Sequence, residues 1–118
     1  MENVIAPIRI TDNDLGVTYE LDFSRESIKF MANNNFVIDE GMISRIAKDG
    51  PELWYYAFRK NHRKIARNQT DALYEKMGGL APKLIERLVD LYNQALMSNN
   101  IVQDDEELDA NPHVTVEL

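Results

Sequence analysis

Cysteine is absent from the 118 residues. That excludes disulfide staples, thiolate nucleophiles and thiolate metal ligands. Histidine is almost as scarce, with only His62 and His113. His62 stands among Arg59, Lys60, Arg63 and Lys64, cations that disfavour both its protonation and its binding of a metal. His113 is isolated near the C-terminal end. Neither G-x-x-x-x-G-K-[ST] nor G-x-G-x-x-G occurs, and Gly78-Gly79 alone reads as a helix stop rather than a phosphate cradle. No apolar run approaches the ~18–20 residues of a membrane helix, and MENVIAPIRI lacks the basic-then-apolar pattern of a secretory signal. Catalysis needs a nucleophile beside a base, paired carboxylates of unlike pKa, or a metal. With none assembled, the expectation is a non-enzyme without cofactor or metal, its default compartment the cytoplasm.

What is present suits one globular domain. The chain is 44% apolar and 28% charged, with a net charge of −7. That charge is unevenly placed. Asp104, Asp105, Glu106, Glu107, Asp109 and Glu117 fall in residues 99–118, which hold no Lys or Arg. The first 98 residues are left close to neutral, which argues against broad nucleic-acid binding. Residues 1–98 are therefore read as a single α+β domain, and 99–118 as an acidic flexible tail.

Residues 5–23 predict a β-hairpin. Ile8 and Ile10 alternate with Arg9 and Thr11; Val17, Tyr19 and Leu21 alternate with Thr18, Glu20 and Asp22. Asp12 to Gly16 supplies the turn, a simpler reading than a calcium loop, whose twelfth position from Asp12 would be Phe23 instead of Glu. Ser24 is placed to cap a helix ending near Asn33-Asn34-Asn35. Asp39 is placed to cap a short helix with Met42, Ile43, Ile46 and Ala47 on one side, broken at Asp49-Gly50. Pro51 then opens a long helix to Arg67, with Leu53, Trp54, Ala57, Phe58, Asn61 and Ile65 on its inner face. The only tryptophan marks this segment as the anchor of the core. Thr70 is a candidate cap for Asp71 to Met77. Pro82 begins the last helix, to about Met97, whose apolar face is broad. His113 to Leu118 alternates again, as a third strand on the hairpin or as a segment that adds to a partner's sheet edge. The fold expected is an N-terminal antiparallel hairpin packed on four to five α-helices.

Arg59, Lys60, Arg63, Lys64 and Arg67 are five of the chain's 13 basic residues. They read as a solvated helix face favoured by the macrodipole, as a site for an acidic protein partner, or as a nucleic-acid contact. A further reading has the acidic tail screening them until a partner displaces it.

The run YELDFSRESIKFMANNNFVIDE, Tyr19 to Glu40, resembles the opening of siphophage tail assembly chaperones. PELWYYAFRKNHRKIARNQTDALYEKMGGLAPKLIERLVDLYNQAL, Pro51 to Leu96, is similar to the helical remainder of versions from phages and prophages of Gram-positive bacteria. The resemblance covers residues 17–97. It implies a protein of the infected bacterial cytoplasm that coats the helical tape measure protein and helps recruit tail tube subunits. A longer frameshifted form often accompanies such proteins, and a filament-coating role leaves room for self-association into rings or spirals. The candidate partner surface is then the exposed part of the Leu84–Leu96 face, with Leu88, Leu91 and Tyr92, together with Tyr55, Tyr56 and the basic residues 59–67. Two alternatives stand beside it: a small nucleic-acid-binding or regulatory phage protein, and a structural tail adaptor.

Overall fold

The computed structural model describes residues 5–97 and 113–117. Strands β1 (Ile8–Asp12) and β2 (Val17–Leu21) are followed by helix α1 (Arg25–Asn33). A 3-10 turn at Ile43–Arg45 then runs directly into α2 (Ile46–Ala57). Helices α3 (Arg67–Met77) and α4 (Pro82–Met97) follow, and β3 (Val114–Glu117) returns to the sheet. The architecture is α+β, as expected.

The sheet has the order β2-β1-β3 and is antiparallel throughout. Ile8 and Ile10 are wholly buried while Arg9 between them is exposed, the period of two that a one-sided sheet requires. The turn closes because Asp12 Oδ1 accepts the N–H groups of Asp14 and Leu15 at 3.1 and 3.3 Å, and Gly16 takes φ 68°. The C-terminal strand adds to its own sheet. Ile10 faces Val116, the Asn13 N–H donates to the His113 carbonyl at 2.7 Å, and His113 Nδ1 lies 2.9 Å from Asp14. The acidic run 104–109 of the expected tail lies outside the described residues.

Helix α1 starts where Ser24 predicts. Ser24 Oγ accepts the Ser27 N–H at 3.1 Å, and Ser27 Oγ accepts the Ser24 N–H at 2.8 Å, a reciprocal cap. It ends at the asparagines, with Asn35 at φ 65°. Gly78 takes φ 74° and terminates α3.

The single helix expected over Pro51–Arg67 does not form. Helix α2 begins at Ile46, runs through Asp49 and Gly50, and carries Pro51 inside it. The carbonyl that loses its partner to proline belongs to Ala47, which is exposed, so water can meet it. Beyond Ala57 the chain leaves the helix in a series of tight turns to Ala66. A continued helix would stack Arg59 on Arg63, Lys60 on Lys64 and Arg63 on Arg67, all like-charged pairs. The turns instead bring Lys60 to Asp22, and Asn61 and His62 to Glu20. Thr70 lies within α3 and is not its cap; its hydroxyl donates to the Arg67 carbonyl at 3.0 Å. Gln69 Oε1 meets the start of that helix by accepting the Ala66 N–H at 2.9 Å.

Trp54 and Phe58 centre the core, both wholly buried and edge-on at 5.1 Å. The Trp54 indole N–H donates to the Thr70 carbonyl at 3.0 Å, which ties α2 to α3. Leu84, Leu88 and Leu91 close the core from α4. Each contributes about 1.5–3 kcal/mol by leaving water.

Candidate partner-binding surfaces

Two surfaces are built by this arrangement. The first is the basic segment after α2. Lys60 Nζ sits 2.7 Å from Asp22 Oδ2, and Asp22 is buried. The Arg59 guanidinium lies 3.9 Å over the Phe30 ring, a cation–π contact. Arg67 pairs with Glu52 and, at 3.0 Å, with Asp71, and stands over Tyr55. Arg63 and Lys64 are exposed, and among the described residues their side chains meet no acidic group. Of the five predicted cations, three therefore hold the fold together and two face solvent freely.

His62 belongs to the same segment. Its Nε2 accepts the Glu20 N–H at 3.0 Å, so the ring carries its proton on Nδ1. The ring also meets Tyr19 edge-on at 5.3 Å. Its role here is to pin the outer edge of β2, not to sit in a basic helix.

The second surface is an open trough between the start of α2 and the side of α4, of about 370 Å³. Ile43, Ile46, Pro82, Ile85 and Val89 line it, with Glu86 and Asp90 along one side. Ile43 is 62% exposed, unusual for a side chain with nothing polar to offer water. Burial, and then the neighbouring charge of Glu86, hold the Asp90 carboxyl above its ordinary value of 3.8, against the pull of Arg87.

Four of the residues expected on a partner surface lie elsewhere. Leu88, Leu91 and Tyr92 are buried in the core, with Tyr92 edge-on to Phe23 at 5.7 Å. Tyr56 is buried as well, stacked on Phe36 at 5.6 Å. The apolar face of α4 is wider than the core can cover, and the leucine edge turns inward while Ile85 and Val89 line the trough. Tyr55 is half-buried beneath Arg67. Sequence reasoning passed over Ile43, Ile46, Glu86 and Asp90 as surface residues. The available signal was the stripe Met42-Ile43-Ile46, of which only Met42 is fully buried.

Among the described residues no helix is long and apolar enough to cross a membrane. No curated protein and no solved structure matches the chain. A family model does: the one described as Domain of unknown function (DUF5055) matches residues 1–118, and the chain belongs to that family.

Proposed function

We propose that this chain is a non-enzymatic assembly chaperone of a phage tail, which holds helical segments of the tape measure protein and helps recruit tail tube subunits in the infected cell. One observation carries the reading. Ile43, Ile46, Ile85 and Val89 line an open trough between two helices, and contiguous apolar surface of this kind marks a protein contact. The resemblance over residues 17–97 supplies the partner. An aggregation-prone helical protein needs its apolar stripe covered before assembly, and the charged surface around the trough would keep such a complex in solution. Co-expression with a phage tape measure protein tests it. The partner should shift into the soluble fraction; a partner equally insoluble with and without this chain overturns the proposal.

A nucleic-acid reading has Arg63 and Lys64 in its favour. It predicts retention on DNA that falls steeply with salt, and the pairing of Lys60 and Arg67 within the fold leaves little charge to produce it.

A further inference from the structure

The two sides of the trough are chemically unlike. Ile43 and Ile46, at the start of α2, offer only apolar groups. On α4, Glu86 and Asp90 stand four residues apart, one helical turn, on the same side. Among the described residues neither carboxylate makes a hydrogen bond or an ion pair. The charges that reach Asp90 are the like charge of Glu86 and the guanidinium of Arg87. A half-buried carboxylate beside a second one is an unfavourable arrangement that an external cation would relieve.

The apolar strip is also longer than the trough. Ile85, Val89 and Leu96 recur at i, i+4 and i+11, within an arc of about 40° and over ~16 Å of helix. Leu96 is exposed, and so is Met97 beside it. An extended peptide laid on this strip would press unpaired N–H and C=O groups against apolar side chains. A helix satisfies its own backbone and presents side chains at the same spacing.

We infer that the trough takes an amphipathic helix of another protein, with its apolar stripe on Ile43, Ile46, Ile85 and Val89 and a Lys or Arg on the flank facing Glu86 and Asp90. The inference rests on the protein-binding reading above and names the partner's chemistry. A second copy of this chain is a poorer occupant. A two-fold pairing through the same trough would set Glu86 and Asp90 against their own equivalents, and two chains of net charge −7 repel.

The test uses the full chain and two fluorescein-labelled peptides of about 18 residues, or ~27 Å as a helix. Both carry a Leu/Ile stripe; one has Lys on the flank, its twin Glu at the same positions. Anisotropy should show the Lys peptide binding about tenfold more tightly, a difference of about 1.4 kcal/mol. That preference should shrink in Glu86→Gln/Asp90→Asn and in high salt, and Val89→Glu should weaken both peptides. Equal binding of the twins, with Val89→Glu still weakening both, overturns the charge selection and leaves the protein-binding reading standing. If neither peptide binds, or if Val89→Glu changes nothing, the trough is not the site and both fall. Circular dichroism of each variant separates lost binding from lost fold.

Discussion

A Cβ placed on Gly50 would lie 2.6 Å from the hydroxyl oxygen of Tyr74. This is why a glycine stands in the middle of α2: α3 comes so close that its tyrosine occupies the space of a side chain. Alanine at a helical glycine normally gains about 1 kcal/mol, and overpacking costs about 1–3. Gly50→Ala should therefore lower stability by about 1 kcal/mol in urea denaturation. In Tyr74→Phe the nearest remaining atoms would be about 3.5 Å away, an ordinary contact. There the same alanine should be neutral or stabilising.

Trp54 fills the centre of the domain and donates its indole N–H to Thr70. Trp54→Ala should cost about 3–5 kcal/mol, read from the chemical denaturation midpoint. A loss below about 1 kcal/mol would remove Trp54 from the core.

Acid stability should turn on Asp12. The hydrogen bond from Lys76, at 2.8 Å, holds its carboxyl below the ordinary value of 3.8; burial opposes this, and the N–H groups of Leu15 and Asp14 add to it. A lowered folded-state value means that the unfolded chain binds the proton more readily, so stability rises with pH in this window. The contribution is present above 3.8 and is lost as pH falls through the folded value. Lys76→Met removes the main cause. It should lower stability at neutral pH, by less than the loss of a fully buried pair because Lys76 is partly exposed. It should also flatten the acid limb of a pH-dependent unfolding curve.

The basic segment should divide into two classes. Arg63→Glu/Lys64→Glu reverses two free charges and should change stability by no more than about 0.5 kcal/mol. Lys60→Met leaves the buried Asp22 without its cation and should cost more, about 1–2 kcal/mol, given the partial exposure of Lys60. Thermal unfolding of the two variants side by side checks the order.

Local rules carried much of the fold into the sequence. The alternation around Ile8 and Ile10, the Ser24 cap, the asparagine stop, Gly78 and the Pro82 helix all form where short-range chemistry places them. The misreadings of the long helix and of the basic segment turn on residues distant in sequence. Pro51 and Gly50 read as a helix boundary, whereas Gly50 lies inside α2 against the hydroxyl of Tyr74, 24 positions away. The cations after Ala57 fit a helical period, yet Asp22 and Glu20 of the hairpin pull that segment into turns. For the trough, the hydrophobic pattern of α4 fixes the width of its apolar face but not which edge meets the core. Leu88 and Leu91 could not be told from Ile85 and Val89 without the packing of the 3-10 turn and α2 beside them.

In the proposed complex a helical partner sits on Ile43, Ile46, Ile85 and Val89. Titrating a helical tape measure fragment into isotope-labelled protein, and following backbone amide shifts by NMR, tests it directly. The largest changes should cluster at those four residues and at Glu86 and Asp90. Changes centred on Arg63 and Lys64, or none at all, would contradict it.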